Sequence, residues 1–182
     1  MKEIEVEIEG ITPLLMNSPK GMLEPVPEIK QAKKRYDPAE EAEKVAYRNS
    51  KGKLFVPSTA IKGSLVNAAS YKKAGKFTLR PLIAGGVRLK EPEIILDNQN
   101  YEIDARTVVI QRSRVVKWRP RIDDWKLNFT IVYNDKLLTD EHIKLCLIEA
   151  GERVGLLDFR PQKLGEFGMF KVNKFKVVGN GK

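Results

Sequence analysis

The sequence predicts an α+β fold in which two amphipathic helices pack on one antiparallel sheet, and three observations carry that expectation. Residues 3 to 8 and 125 to 133 alternate apolar and polar side chains, the period of a half-buried strand. Segments starting near Pro57 and Thr139 repeat their apolar residues at helical spacing. Between them, residues 106 to 121 combine β-branched residues with Arg106, Arg112, Arg114, Lys117, Arg119 and Arg121 and contain no acid.

The first strand puts Ile4, Val6 and Ile8 on one side and glutamates on the other. It runs into Gly10-Ile11-Thr12-Pro13 and an irregular stretch to about Arg35. Its prolines (Pro13, Pro19, Pro25 and Pro27) bar a central strand, so an extended surface loop is expected. Asp37-Pro38-Ala39-Glu40 supplies a cap, a first-turn proline and a box-like glutamate, which predicts a short helix to about Tyr47. A turn around Gly52 and a small strand from Leu54 to Val56 follow.

Ser58 is the expected cap of a long helix with Ile61, Leu65, Ala68 and Ala69 inside, ended by Gly75. Residues 83 to 96 read as one or two strands, interrupted at Gly85-Gly86 and Pro92, and residues 103 to 118 as a basic extended segment. Trp125, Leu127, Phe129, Ile131 and Tyr133 mark the next strand, turned at Asn134-Asp135. Thr139 caps a second helix whose inner face is Ile143, Cys146, Leu147 and Ala150. A loop punctuated by Gly155, Gly165 and Gly168 leads to the last strand, residues 169 to 178.

Stripped of insertions, the order is strand, helix, strand, strand, helix, strand, the split βαβ or ferredoxin-like (RRM-like) βαββαβ core. One domain over residues 1–182 is expected, with an insertion at 10–56 and an extended basic β-hairpin within 97–121.

Composition narrows the function. The chain has 182 residues, 42% of them hydrophobic, which excludes a disordered chain. Lys and Arg number 33 against 24 acids, a formal net charge of +9, which favours nucleic acid or an anionic surface as partner. No apolar run approaches the roughly 18 residues of a bilayer span and no signal-peptide pattern opens the chain, so a cytoplasmic protein without membrane contact is expected. A single cysteine, Cys146, excludes an internal disulfide and a cysteine-based zinc cluster.

Three places could hold an anion. In one continuous strand, Arg106, Arg112, Arg114 and Trp118 share a parity and would line one face, with Lys117, Arg119 and Arg121 adding charge. Such a row suits a polyanion, since each neutralised phosphate releases counterions; the alternative is an edge strand charged against aggregation. The helix start at Ser58, Thr59, Lys62 and Gly63 offers free N–H groups and hydroxyls to a phosphate, against an ordinary serine cap with Lys62 in solvent. Gly63 inside a helix costs about 1 kcal/mol relative to alanine, which predicts the close approach of another backbone. The late glycine loop, with Arg153 and Arg160, could expose amides to an anion or simply turn a long connection.

Catalytic groups are sparse. His142 is the only histidine, Cys146 belongs to an apolar face, and Asp123-Asp124 reads as a turn, so neither catalytic residues nor a metal or cofactor are expected. Trp118 is the stacking candidate and Trp125 a core anchor.

Taken together, Gly10-Ile11-Thr12-Pro13-Leu14, the run from Val56 to Leu65, and the glycine loop entering a Phe-rich strand resemble the RAMP superfamily. These are the RNA-binding subunits of CRISPR effector complexes, and the likeness is greatest to those that polymerise along the guide RNA. The family's helix entry reads roughly Pro-Ser-Ser-Leu-Lys-Gly; here Thr59 and Ala60 replace its second serine and leucine, and an arginine common after the Lys-Gly pair is replaced by Val66-Asn67.

The resemblance implies sequence-tolerant binding of single-stranded RNA through Ser58, Thr59, Lys62 and Gly63, side-by-side self-association, other effector subunits as partners, and a β-hairpin thumb. Some relatives cut target RNA with a loop aspartate near the first strand. No aspartate precedes Asp37 here, so a non-catalytic subunit is expected, a short, solitary or virus-borne relative. The alternatives are a metal-independent guide-processing endoribonuclease, a single-stranded DNA-binding protein of a mobile element, and an assembly protein whose basic strand meets an acidic neighbour.

Overall fold

Two helices crossing the same face of an antiparallel sheet bury the alternating residues that the sequence singles out. The computed structural model describes residues 1–22, 37–110 and 112–178. In chain order the elements are β1 (Lys2–Gly10), β2 (Leu14–Leu15), α1 (Pro38–Lys44), β3 (Phe55–Pro57), α2 (Ser58–Ala68), β4 (Lys73–Ala74) and β5 (Phe77–Thr78). There follow α3 (Arg80–Gly86), β6 (Val87–Leu89), β7 (Glu93–Ile95), β8 (Glu102–Ile110), β9 (Ser113–Ile122), β10 (Lys126–Tyr133), α4 (Asp140–Glu149) and β11 (Phe170–Val178).

The main sheet runs β11-β1-β10-β6 with every neighbouring pair antiparallel. β1 and β6 are therefore parallel with β10 between them, and β10 and β11 parallel with β1 between them. This α+β topology is compatible with the ferredoxin-like arrangement. Ile4, Val6 and Ile8 stand opposite Ile131, Phe129 and Leu127, and all six are buried against Ile61 and Leu65 of α2 and Ile143 and Leu147 of α4. Each such side chain is worth about 1.5–3 kcal/mol on burial.

Trp125 is the expected anchor. It is 2% exposed, and its Nε1 donates to the Thr12 carbonyl at 2.9 Å. A Cβ on Gly10 would lie 2.3 Å from the ring, so the glycine makes room for the tryptophan.

Several local expectations are corrected. Asp37 does cap α1, accepting from Ala39 N, but the helix stops at Lys44 rather than near Tyr47. Pro57, extended within β3, occupies the cap position of α2; Ser58 is the first helical residue, and no side chain caps the helix. α2 ends at Ala68, and Gly75 instead turns the β4–β5 hairpin. Part of the region read as strand is α3, because Pro81 fits a first helical turn and buried Leu79 and Ile83 lie four residues apart. Pro25, Pro27 and much of the expected loop after β1 lie outside the described residues. Among the described residues, no helix is long and apolar enough to cross a membrane.

Candidate nucleic-acid interface

The basic segment is a hairpin, and its register redistributes the charges. β8 and β9 pair Glu102 with Arg121, Asp104 with Arg119, Arg106 with Lys117, Ala105 with Trp118 and Val109 with Arg114. Opposed residues share a face, so Arg106 lies with Lys117, Arg119 and Arg121, while Arg114 and Trp118 lie on the other side. The single row of Arg106, Arg112, Arg114 and Trp118 expected from parity does not form. The chain reverses around Arg112, which takes a left-handed φ of 67°, and the reversal inverts the parity of everything after it.

The same register supplies acids that the 106–121 window lacks. Asp104, 6% exposed, accepts from Arg106 Nε at 2.9 Å and lies 3.6 Å from Arg119. Arg119, 5% exposed, also pairs with Asp158 at 2.8 Å. Arg121 is held by Glu102 and Asp123, at 2.8 and 2.7 Å. The base of the hairpin is thus neutralised from within. Its distal half is not: Arg112 and Arg114 are exposed, and among the described residues no carboxylate pairs with Arg112, Arg114 or Lys117. Val109, 70% exposed, shows that this half stands clear of the core.

The three motifs behind the family resemblance meet at the glycine loop. Gly168 N donates to the Pro13 carbonyl at 2.8 Å, and Met169 N to Thr12 Oγ1 at 3.0 Å. From the other side, the buried Ser64 hydroxyl of α2 donates to the Gly155 carbonyl at 2.9 Å. Gly168 has φ of 72°, and a Cβ there would lie 2.2 Å from the Leu156 carbonyl oxygen. A Cβ on Gly165 would come within 1.8 Å of the Phe159 carbonyl. These glycines accommodate the loop's own backbone rather than a ligand's, as the turn-glycine alternative holds.

A cavity of about 350 Å³ opens between this loop and α2, lined by Thr59, Gly63, Asn67, Gly155, Asp158 and Arg160. Gly63 behaves differently from the loop glycines: a Cβ on it would meet nothing within 4 Å. The backbone approach expected to justify Gly63 is not made by any of the described residues, and among them the glycine faces open space. Arg160 is braced by the Leu157 carbonyl at 2.7 Å and by Gln162, without a carboxylate partner among the described residues. Ser58 N donates to the Pro92 carbonyl at 3.0 Å, so one N–H of the helix start is already occupied. Arg153 pairs with Glu149 at 2.8 Å.

Across the Asp158–Arg160 ridge lies a second cavity of about 510 Å³, lined by Thr12, Arg106, Arg121, Phe159 and Phe167. There the Arg106 guanidinium sits 4.8 Å from the centre of the Phe167 ring. The hairpin and the start of α2 therefore flank one loop, with Arg119–Asp158 as the link between them.

Comparison of this architecture with solved structures finds the fold in other proteins. A chain of the Type III-B Cmr-beta bound to cognate target RNA superposes with a TM-score of 0.62 at 16% identity, covering 97% of this chain and 60% of that one. The likeness is one of fold. The chain thus spans 60% of the length of that neighbour. A chain of the Csm3-Csm4 subcomplex in the type III-A CRISPR-Cas interference complex aligns with a TM-score of 0.44 at 15% identity, over 97% of this chain and 78% of that one. No family model and no curated protein matches the chain.

The open face of the sheet is closed to the stacking that RRM domains use. Along β1, β10 and β11 it presents Glu5, Glu7 and Glu9 opposite Thr130, Asn128, Lys126, Lys176, Lys174 and Lys171, without an aromatic ring. Glu5 pairs with Lys174 at 3.0 Å and Glu9 with Lys171 at 2.9 Å. His142 completes the Thr139 capping box, its Nδ1 accepting from Thr139 N at 3.4 Å. Among the described residues no group of three or more His, Cys, Asp or Glu is placed to hold a metal ion. Sequence reasoning missed Asp104, Asp158 and Asn67. The cross-strand pairing rule would have found Asp104 once the turn was placed at Arg112.

Proposed function

We propose that this chain is a non-catalytic, RNA-holding subunit of a CRISPR-like ribonucleoprotein, of the backbone type that lies along a guide. The observation that carries the reading is the convergence of two anion-accepting surfaces on one loop. The Thr59–Gly63 cavity with Arg160 lies on one side, and the hairpin ending in Arg112, Arg114 and Lys117 leaves from the other. Neither surface presents base-edge readers in a fixed row, which suits backbone contacts and sequence-tolerant binding.

In this reading Thr59, Lys62 and the open surface at Gly63 receive the sugar-phosphate backbone, Arg160 supplies a braced charge, and Trp118 and the hairpin tip separate bases. Arg106 contributes through the cavity beside Phe167. Arg119, Arg121 and Arg153 act through the protein's own carboxylates and set geometry rather than grip phosphate. Binding in the cell's interior, with copies side by side on the same RNA and with other effector subunits, completes the proposal.

Fluorescence anisotropy with a mixed-sequence single-stranded RNA, a matched DNA and the RNA duplex tests it. Preference for the RNA single strand, weakened by Arg160→Ala and by Arg114→Glu, supports the reading. Equal affinity for RNA and DNA transfers it to the DNA-binding alternative, and a defined cut in the RNA without metal overturns the non-catalytic assignment.

A further inference from the structure

We propose that the segment around the β4–β5 hairpin, Tyr71 to Arg80, is a second contact for single-stranded RNA, continuing the strand's path out of the Thr59–Arg160 cavity. The inference rests on the RNA reading above and adds to it a surface outside both the cavity and the basic hairpin.

From Lys44 to Lys90 the chain contains no aspartate or glutamate. The middle of that stretch folds into a hairpin of two residues per strand, turned at Gly75 with φ of 62°. Phe77 is 76% exposed and Tyr71 57% exposed. Around them, Lys73, Lys76 and Arg80 have no carboxylate partner among the described residues.

The root of the hairpin is fastened. Glu149, 6% exposed, pairs with Lys72 at 2.6 Å and with Arg153 at 2.8 Å, and the Arg153 guanidinium lies 5.5 Å from the centre of the Tyr71 ring. One buried carboxylate thus consumes the two inner cations and leaves the outer ones to solvent.

The position follows from the helix. Asn67 lines the cavity, and Tyr71 follows it by about one helical turn. Arg153 stands two residues before Gly155, which lines the same cavity. A strand leaving the cavity along α2 meets Tyr71 first and then Phe77. A protein partner fits less well, because interface cores are depleted in lysine and this hairpin sets one large apolar side chain among lysines. Rings interleaved with cations are what sequence-tolerant single-strand binding uses.

The test compares wild type with Phe77→Ser and with Lys73→Glu/Lys76→Glu, exposed positions whose melting temperatures should match wild type. Two 4-thiouridine-substituted RNAs are used, a short one that fills the cavity alone and a long one that reaches the hairpin. The expected result is a loss of about fivefold or more in affinity for the long RNA, little change for the short one, and photo-crosslinks at Tyr71 or Phe77. Unchanged long-RNA affinity with crosslinks confined to α2 and the basic hairpin overturns this inference and leaves the RNA reading standing. Failure of wild type to bind either RNA overturns both. Loss of a stable oligomer in Phe77→Ser, with RNA affinity intact, overturns it in favour of a protein interface.

Discussion

The buried guanidinium of Arg119 donates to Asp158 at 2.8 Å, across the seam between the basic hairpin and the glycine loop. With Asp104 on its other side at 3.6 Å, it fixes how β9 leaves the core. A cation in this position contributes to stability, whereas the proposed function gives binding to its exposed neighbours. Arg119→Ala leaves Asp104 and Asp158 without their shared partner and should cost about 3 kcal/mol. Arg114→Ala should stay within about 0.5 kcal/mol of wild type. Urea denaturation measures both, and equal losses would remove the distinction drawn between base and tip.

Substitution of Gly63 should separate stability from binding. Because a Cβ there meets nothing within 4 Å, Gly63→Ala should stabilise the protein by about 0.5–1 kcal/mol through helix propensity. The same methyl group intrudes on the cavity floor and should weaken RNA binding. A higher melting temperature together with lower affinity is the expected pair of results. A higher melting temperature with unchanged affinity would take Gly63 out of the interface.

Much of the core was legible because its signals are local. Strict alternation identified β1 and β10, and Thr139 with Ile143, Cys146 and Leu147 identified α4 and its inner face. The charge pattern of the hairpin was not, because parity along a chain holds only until the chain turns. A turn without glycine at Arg112 carries no clear signal. The acids that neutralise the hairpin base come from Asp104 within β8 and from Asp158 in a distant loop, and only the register shows which guanidinium each one reaches. Gly63 was recognised as costly, but what stands beside it is a matter of tertiary space.

Cys146 should be silent in the native state. Burial pushes its thiol up to about 11, with the nearby Glu149 carboxylate adding to the shift against the opposing pull of Lys72. At neutral pH a thiol reagent should label it only as the protein unfolds, so the labelling rate reports opening of the α4 face. Fast labelling of folded protein would contradict the packing described for α4.

Acid should loosen the sheet's charged face. Asn173, Lys171 and Lys126 lower the Glu9 carboxyl from its ordinary 4.5 to about 2. A depressed folded-state value means the contribution is complete above about pH 4.5 and lost as pH falls towards 2. Glu9→Gln should therefore be less stable than wild type near neutrality, and the gap should close as pH falls towards 2. A gap independent of pH would assign the effect to something other than ionisation.

The most direct measurement is the salt dependence of single-stranded RNA affinity for wild type and for Arg112→Glu/Arg114→Glu. Each phosphate contact on a single strand contributes about 0.7 to the slope of log affinity against log salt. Loss of these two cations should make the line shallower by about 1.4 and weaken binding most at low salt. Superimposed lines for the two proteins would show that RNA does not follow the hairpin tip, and would contradict the account.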